Sequence, residues 1–400
     1  MLQTAAATMT RPQEIAARLA ALSDTPAFVY DEAEVQRLLA MTDLLRADGH
    51  CDVLFSTKSL PLSPVMELMA PRLDGFAASS LFEARLARET VGPDPALHLT
   101  TPGIRPIDAG QIGELCDFVS FNSLGQWERF RAEMQPASCG IRVNPQLSFL
   151  DDDRYDPCRS HSKLGAPLDA LVEIAERQPE RLEGLEGVHV HTNCDSTDLR
   201  QLDATVEHLC SRLDGLLRRL EWINLGGGYL FNGPDDVKAV ARIAAGLQTS
   251  YGLRVIIEPG AALIRTAGYI VASVLDLFDS GGKRLAVLDT TANHMPEVFE
   301  YGDEPVVTDH RDGAPHEYIL AGSTCLAGDI FGAYRFEEPL DLGSRVAFAG
   351  MGAYTLSKAH TFNGINLPDI YALTPDGALV LKKRFTYKDY SKHWGRNAPL

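Results

Sequence analysis

Short runs of apolar, often β-branched residues alternate with longer segments of helical periodicity from about residue 52 to residue 259. The runs include residues 53–55, 140–143, 187–190, 222–225 and 254–257, and the helical segments include 81–90, 168–177, 198–217 and 237–251. Such alternation predicts a parallel sheet covered by helices. The sheet is either closed into a barrel or open and doubly wound.

The pattern changes after about Arg265. Apolar runs at residues 268–277, 283–289, 317–321 and 345–349 are separated by Gly, Pro and Asp turns, with little helical signal. This pattern predicts a mostly antiparallel β domain in the last third of the chain.

Composition and charge exclude several classes of protein. Charged residues interrupt every apolar stretch before the roughly 20 residues that a membrane helix needs. The seven cysteines are scattered without a Cys-x-x-Cys pair, which favours reduced thiols in a cytoplasmic protein over disulfides or a metal site. A net charge of −17 disfavours nucleic acid and anionic membranes. It suits a small cationic substrate, although general solubility is the commoner explanation.

Chemically distinctive residues follow four of the predicted strands. Lys58 comes after residues 53–55, His191 after 188–190, Gly226-Gly227-Gly228 after 223–225, and Glu258 after 255–257. In a parallel barrel the carboxyl ends of all strands lie on one face, and active sites form there. The sequence therefore predicts that these four groups converge on one site.

The combination of residue types favours pyridoxal phosphate (PLP) chemistry. Three glycines at a strand-to-helix turn suit a phosphate, because their N–H groups are not covered by side chains; a tight turn is the alternative. A buried lysine such as Lys58 is a candidate for a Schiff base, although strand-end lysines are more often structural. Glu258 would pair with the pyridine nitrogen, and His191 would stack on the ring unless it is a core histidine.

The chain resembles the fold-type III PLP-dependent decarboxylases, which include ornithine, diaminopimelate and carboxynorspermidine decarboxylases. Within this family it is most similar to the carboxynorspermidine (carboxyspermidine) enzymes, over nearly its whole length. The strings that carry the resemblance are 73–75 with 78–81, 155–158, 189–194, 222–228, 258–260, 294–296, 324–329 (Thr-Cys-Leu-Ala-Gly-Asp) and 362–365 (Phe-Asn-Gly-Ile).

The resemblance implies a PLP-binding (β/α)8 barrel of the alanine racemase type over residues 24–265. A mostly antiparallel β domain would follow over residues 266–400, with residues 1–23 packed on it. It also implies a homodimer with shared active sites and a role in polyamine (spermidine) biosynthesis.

The resemblance also implies a role for each matching residue. Lys58 would hold PLP as a Schiff base, His191 would stack on the ring, Gly226, Gly227 and Gly228 would hold the phosphate, and Glu258 would pair with the ring nitrogen. Three further residues would complete the site: Tyr354 as a phosphate ligand, Cys325 as a proton donor supplied across the dimer, and Asp329 near the far end of the substrate. A small buried hydrophobe is the alternative for Cys325.

Two departures concern the substrate. Tyr229-Leu230 follows the glycines where the carboxynorspermidine enzymes typically have two histidines, and Ala261-Ala262 follows Glu258-Pro259-Gly260 where they usually have a glutamate. A divergent decarboxylase for a diaminopimelate-, ornithine- or lysine-like substrate therefore remains an alternative. Asp289 and Glu297, like Asp329, are candidates for binding a cationic tail or are solvated loop carboxylates.

Three other classes share the cofactor or the barrel. An amino-acid racemase needs a second base on the opposite ring face, usually tyrosine, where this chain offers Cys325. A non-enzymatic PLP carrier lacks the long β domain. A regulatory pseudo-enzyme would be expected to have lost cofactor groups, whereas Lys58, His191 and Glu258 are all present. The sequence therefore favours a decarboxylase of a basic amino acid.

Overall fold

The computed structural model describes residues 14–46, 51–150, 152–302 and 304–396. Contacts divide the chain into two compact units, one of residues Gln36–Leu263 and one formed by the residues before and after that segment. None of the described helices is long and apolar enough to cross a membrane.

The strands, in chain order, are β1 Ala27–Asp31, β2 Asp52–Ser56, β3 Gly75–Ala78, β4 Ala96–Thr101, β5 Phe118–Phe121, β6 Ser138–Asn144, β7 Ala166–Pro167, β8 Gly187–Val190, β9 Trp222–Asn224, β10 Arg254–Ile257, β11 Gly268–Ser280, β12 Lys283–Leu288, β13 Val306–Val307, β14 His316–Ala321, β15 Ile330–Phe336, β16 Arg345–Ala349, β17 Asp369–Leu373 and β18 Leu379–Lys383. The α-helices are residues 14–20 and Glu32–Arg46, Ser63–Met69, Leu81–Val91, Ala109–Leu115, Leu124–Phe130, Leu168–Arg177, Arg200–Leu217, Pro234–Tyr251, Ala261–Ile264, Glu297–Tyr301 and Tyr387–His393.

The unit of residues 36–263 is a closed parallel barrel. Its strands pair in the order β2, β3, β4, β5, β6, β8, β9, β10 and back to β2, and every pairing is parallel. The short strand β7 adds to β6 outside this ring. The predicted (β/α)8 barrel is therefore confirmed, and the open doubly wound sheet is excluded.

Helices begin immediately after several barrel strands. The hydroxyl of Ser80 accepts the N–H of Glu83 at the start of Leu81–Val91 (3.2 Å). Ser123 caps Leu124–Phe130 in the same way, accepting the N–H of Gln126 (3.1 Å). Each cap satisfies an N–H that the first turn leaves without an intrahelical partner. The two helices begin three residues after the ends of β3 and β5.

The barrel interior is packed at its base and polar above it. The ring of Trp222 is fully buried and packs edge-to-face on Phe118, with ring centroids 5.6 Å apart. A Cβ on Gly187 would lie 2.1 Å from the Trp222 ring, so the small residue makes room for the large one. His98 lies edge-on to the same indole (5.4 Å) and begins a polar layer above the apolar base.

The second unit is built on a mostly antiparallel sheet, as the sequence predicts. Its main order is β15-β14-β12-β11-β1-β17-β18, and β16 pairs with β11 and β13. Only β1–β17 and β12–β14 are parallel among the pairings described for this sheet. The long strand β11 connects two parts of the sheet. The first half of β11 pairs with β1 and β16, and its second half pairs with β12.

The start of the described chain belongs to this second unit. Strand β1 lies between β11 and β17, and Leu19 of helix 14–20 packs with Val29 and Val271 in one apolar cluster. Contacts place the division after residues 35 and 263; the predicted boundaries at 24 and 265 stay predictions. The predicted packing of residues 1–23 concerns 1–13 as well, and those lie outside the described residues.

Candidate active site

A cavity of about 340 Å³ opens at the carboxyl ends of the barrel strands. That volume lies within the range of ligand sites in proteins. The residues around it come from the ends of β2, β3, β4, β6, β8 and β10 and from the loop after β6: Ser56, Lys58, Ala77, Ala78, Ser79, Thr100, Pro102, Arg142, Arg154, Tyr155, Asp156, Pro157, Arg159, Ser162, Lys163, Leu164, His189, His191, Asn193, Cys194 and Glu258.

Lys58 lies on the 3-10 turn Thr57–Ser59, directly after β2. The turn is fixed on both sides of the lysine: the hydroxyl of Thr57 donates to the Ala77 carbonyl (2.9 Å), and that of Ser59 to the Ser56 carbonyl (2.7 Å). Solvent reaches the Lys58 side chain through the cavity, yet the surrounding protein atoms desolvate the amine and lower its pKa. A lowered pKa favours the neutral, nucleophilic amine.

Glu258 is held by a buried polar network from neighbouring strands. The side-chain amide of Asn224 donates to Oε1 of Glu258 (2.6 Å) and lies 2.7 Å from Nδ1 of His98. Nε2 of His98 pairs with the Ser120 hydroxyl (2.7 Å). Burial raises the pKa of Glu258, and the hydrogen bond from Asn224 opposes that rise. Burial also lowers the pKa of His98 to about 3, so the imidazole is neutral.

His191 follows β8 and is fixed by the glycine turn after β9. Its Nδ1 accepts the N–H of Gly227 (3.1 Å). Burial, together with the nearby charges of Lys58 and Arg142, holds the pKa of His191 well below its usual range. Because the ring is neutral and Nδ1 accepts, the proton lies on Nε2.

The three glycines meet neighbouring backbone where no side chain would fit. A Cβ on Gly227 would lie 2.2 Å from the Glu258 carbonyl oxygen, and one on Gly228 2.0 Å from that of Asn193. The N–H of Gly226 donates to Oδ1 of Asn224 (2.8 Å), and that of Gly227 to His191. Two of the three N–H groups predicted to hold a phosphate therefore have protein acceptors.

Arg142 lines the cavity without a role predicted from the sequence, which places it and Lys163 near the barrel mouth. It lies in β6 and is 9% exposed, yet its guanidinium has no hydrogen bond or ion pair with any residue that the structure describes. Desolvation lowers its pKa, and the nearby Glu258 carboxylate acts in the opposite direction. A largely buried cation that faces the cavity and has no partner among the described residues is suited to bind an anionic ligand group.

The charge of the cavity is opposite to that of the chain. Five cationic side chains line it (Lys58, Arg142, Arg154, Arg159 and Lys163), against two acidic ones (Asp156 and Glu258), in a protein of net charge −17. The residues fit PLP, which carries an aldehyde for an amine, a ring nitrogen for a carboxylate, and anionic phosphate and phenolate groups for cations.

Sequence reasoning missed several polar residues of this site. These are Asn224, His98 and His189, and His189 lies in β8 with Nδ1 3.1 Å from the Thr100 hydroxyl. Nε2 of His189 is buried without a partner among the described residues. A signal was present, because each of these polar side chains interrupts an apolar run that predicts a buried strand.

Tyr229, which departs from the typical family pattern, does not line the cavity. Its buried hydroxyl lies 3.1 Å from that of Thr192 and 3.0 Å from Nδ2 of Asn193, and only Asn193 lines the cavity. Tyr229 therefore contacts the cavity wall through Asn193 and does not line the cavity itself. Ala261 and Ala262 are both buried.

Cys325, Asp329 and Tyr354 lie in the second unit, and so do the acidic candidates Asp289 and Glu297. Cys325 is exposed, which argues against a small buried hydrophobe. Tyr354 has a left-handed backbone (φ +56°), and Nζ of Lys358 lies 5.6 Å from its ring centroid.

The carboxylates of the second unit have partners within it. Asp289 accepts the N–H of Ser273 (2.8 Å) and the hydroxyl of Thr25 (2.6 Å). Glu297 lies 3.5 Å from Nη1 of Arg265. Asp329 accepts hydrogen bonds from Ala292 and Thr324.

Comparison with known proteins identifies the family. The family model described as pyridoxal-dependent decarboxylase, C-terminal sheet domain, matches residues 27–352. A carboxyaminopropylagmatine decarboxylase of Synechocystis sp. is 36% identical, over 93% of this chain and 95% of the relative. A carboxynorspermidine/carboxyspermidine decarboxylase of Herminiimonas arsenicoxydans is 32% identical, over 92% and 98%.

Solved structures agree with these relatives. Carboxynorspermidine decarboxylase from Campylobacter jejuni, complexed with norspermidine, superposes with a TM-score of 0.84 at 29% identity, over 92% of this chain and 100% of that one. Diaminopimelate decarboxylase from Helicobacter pylori shares the fold, with a TM-score of 0.80 at 18% identity, over 93% and 97%. The chain therefore belongs to the fold-type III pyridoxal-phosphate-dependent decarboxylases, and both its enzyme class and its cofactor are those predicted from the sequence.

Proposed function

We propose that the protein decarboxylates carboxynorspermidine or carboxyspermidine to norspermidine or spermidine, with Lys58 holding the cofactor. The main support is that the chain is similar, over nearly its whole length, to proteins that are named for these substrates. The diaminopimelate decarboxylases are less similar, at 22–26% identity. Their substrate, like ornithine or lysine, is therefore less favoured.

A second candidate substrate is carboxyaminopropylagmatine. It is supported by the 36% identity to the Synechocystis enzyme. Decarboxylation of this substrate needs the same site chemistry, because only the far end of the molecule differs. The two candidates are separated by whether the site accepts a guanidinium or an ammonium group there.

Each barrel residue has a defined task in this proposal. Lys58 binds the cofactor covalently through its amine, and Glu258 keeps a proton on the ring nitrogen. His191 packs against the ring face, with its orientation fixed by the Gly227 N–H. Arg142 binds an anionic oxygen of the cofactor. When bound, PLP accepts the electron pair that is released as carbon dioxide leaves.

The hydrogen bonds of the glycine turn limit which of its N–H groups can bind the phosphate. Gly226 and Gly227 donate their N–H groups to protein acceptors, so within the turn the phosphate is assigned to the N–H of Gly228. Tyr354 would provide a further phosphate contact, as the resemblance implies.

The remaining assignments also come from the resemblance. The protein would act as a homodimer in the cytoplasm, with shared active sites. Cys325 of one copy would then return a proton to the carbon that lost carbon dioxide in the other copy. The exposed position of Cys325 in a single chain supports this role, because a thiol that serves a second copy must be accessible before assembly.

A product assay tests the substrate. PLP-loaded protein is incubated separately with carboxynorspermidine, carboxyspermidine, carboxyaminopropylagmatine, diaminopimelate, ornithine, lysine and arginine. Carbon dioxide release and the mass of the product amine are followed. We expect turnover of the first two compounds; turnover of the third alone would select the second candidate, and exclusive turnover of an ordinary amino acid would contradict the proposal.

A reduction experiment tests the assignment of Lys58. Borohydride treatment of the PLP-loaded protein should fix the cofactor on the peptide that contains Lys58, as detected by mass spectrometry. Lys58→Ala should abolish both the adduct and the cofactor absorbance. Lys238→Ala, on an exposed helix face, is the matched control. An adduct on another lysine of the wild-type protein would overturn the assignment.

A further inference from the structure

The loop that carries Cys325 is fixed from inside by a carboxylate. It spans residues 322–329 between β14 and β15. Asp329, at its end, is 3% exposed. One carboxylate oxygen accepts the N–H of Ala292 (2.8 Å), and the other accepts the N–H (3.1 Å) and the hydroxyl (2.5 Å) of Thr324. Asp329 therefore ties the residue next to Cys325 to the turn that follows β12.

The loop is shaped to receive this carboxylate. A Cβ on Gly322 would lie 2.3 Å from both carboxylate oxygens of Asp329, so only glycine leaves room for it. Two backbone hydrogen bonds hold the ends of the loop together. The N–H of Gly322 donates to the carbonyl of Asp329 (2.8 Å), and the N–H of Asp329 donates to the carbonyl of Leu326 (3.0 Å).

A second attachment holds Cys325 itself. Its N–H donates to Oδ1 of Asn363 (2.9 Å), in the Phe362-Asn363-Gly364 string. Asn363 has a left-handed backbone (φ +56°), which asparagine tolerates better than most residues. The backbone of the loop is thus fixed on two sides while the thiol stays exposed.

These contacts use three of the roughly four acceptor positions of the Asp329 carboxylate, and its burial keeps a cationic substrate group away from it. Each oxygen accepts at least one hydrogen bond from the protein, and the residue is 3% exposed. An ammonium group could reach it only by breaking hydrogen bonds that would leave buried N–H groups of the loop without partners. The charge is compensated by the loop, as in other carboxylates that accept several backbone N–H groups.

We propose that Asp329 is a positioning residue, which fixes the loop of Cys325 against the turn at Ala292, and that it does not bind the substrate. This inference rests on the proposed function for the role of Cys325. It replaces the expectation, drawn from the resemblance alone, that Asp329 lies near the far end of the substrate.

Two variants test the proposal. Asp329→Asn keeps the size of the side chain but places an NH2 group where acceptors are needed. Thr324→Val removes the hydroxyl donor and leaves Asp329 intact. A residue that only binds substrate would show its effect in Asp329→Asn alone, whereas a loop attachment predicts the same kind of defect in both. If Asp329→Asn does not fold, Thr324→Val alone still tests the proposal. Ser280→Ala, at the exposed end of β11 in the same unit, is the control.

Hydrogen exchange and thiol alkylation measure the loop without any substrate. We expect the amides of Ala292 and Thr324 to exchange about tenfold faster or more in Asp329→Asn. A smaller change in the same direction is expected in Thr324→Val. Peptide-resolved alkylation by iodoacetamide should show a changed rate at Cys325 and an unchanged rate at Cys210. Wild-type exchange and alkylation in both variants would overturn the proposal, whatever the substrate is.

Kinetics separate positioning from substrate binding. With the substrate found by the product assay, both variants should lower kcat about tenfold or more and leave KM within about threefold. A KM raised tenfold in Asp329→Asn, with kcat and exchange unchanged, would mean that the carboxylate binds the substrate. If no polyamine precursor is turned over by the wild-type protein, the proposed function fails while exchange still decides the role of Asp329.

Discussion

The side-chain amide of Asn224 donates a 2.6 Å hydrogen bond to Oε1 of Glu258, from the strand next to the one that carries the glutamate. The bond favours the ionised carboxylate, whereas burial raises the pKa of Glu258. Asn224 thus opposes the protonation that would remove the charge needed at the ring nitrogen.

Asn224→Ala should therefore raise the pKa of Glu258. With a higher pKa, the carboxylate becomes neutral at a higher pH, so the acid limb of the pH profile of kcat should move to higher pH. At neutral pH we expect kcat to fall about tenfold, corresponding to roughly 1.4 kcal/mol. A steady-state pH series measures this shift, and Asn232→Ala at an exposed position should match the wild type. An unmoved acid limb would separate Asn224 from the ionisation of Glu258.

Replacement of the carboxylate itself should have a larger effect. A neutral amide in Glu258→Gln cannot keep a proton on the ring nitrogen, so we expect kcat to fall about 10²- to 10³-fold. Single-turnover measurement of carbon dioxide release checks this, with the exposed Glu221→Gln as the control. Near-normal turnover by Glu258→Gln would exclude the assigned pairing.

Arg142→Met should stabilise the cofactor-free protein against unfolding and lower its affinity for PLP. Removal of a largely buried cation that has no partner among the described residues should raise the free energy of unfolding of the cofactor-free protein by about 1 kcal/mol. Loss of a charge-assisted contact should weaken PLP binding about tenfold or more.

Two titrations measure these opposite changes. Urea unfolding of the cofactor-free protein gives the stability, and absorbance titration with PLP gives the affinity. Arg242→Met, on an exposed helix face, should change neither. Wild-type PLP affinity in Arg142→Met would exclude Arg142 as a cofactor ligand, while lower stability would show that its charge has a partner in the protein.

Acid should destabilise the barrel partly through His98. Its pKa is about 3 in the folded protein, against about 6.5 in an unfolded chain. Between those values the unfolded state binds a proton that the folded state does not. Stability is therefore lost as the pH falls from 6.5 towards 3, by up to about 1.4 kcal/mol per pH unit.

The variant His98→Asn isolates this contribution. Its side-chain oxygen can still accept from Asn224, but the residue does not titrate in this range. Urea unfolding at pH 7.0 and pH 5.0 should show a smaller loss for the variant than for the wild type. An equal loss in both proteins would mean that His98 is not responsible for the acid sensitivity.

The parallel sheet with covering helices could be predicted from the sequence because its strands and helices alternate locally. Its closure into a barrel was implied by the resemblance and not by the alternation. The convergence of Lys58, His191 and Glu258 followed, since all three come directly after strands. The membership of β1 could not be predicted in this way. Its partners, Gly268–Ser280 and Asp369–Leu373, are more than 200 residues away, and local periodicity contains no information about such pairing.

Neither the hydrogen bonds of Asp329 nor the lack of a partner for Arg142 among the described residues could be predicted from the sequence. Both depend on which atoms meet, not on residue type. Arg142 nevertheless left a usable signal, because a charged residue within the apolar run Ile141-Arg142-Val143 must face either solvent or a cavity. Because helices cover the outside of a barrel of this kind, a cavity inside the barrel is the alternative that the fold favours for Arg142.

The position of β1 has a consequence for synthesis on the ribosome. Residues 27–31 emerge early, but one neighbouring strand is not made until residue 280 and the other not until residue 373. The last barrel strand ends at residue 257, so the barrel can form first. During that time both edges of β1 lack their partner strands. Unpaired strand edges promote aggregation. Nascent chains stopped before about residue 373 should therefore depend on chaperones more than the finished protein does.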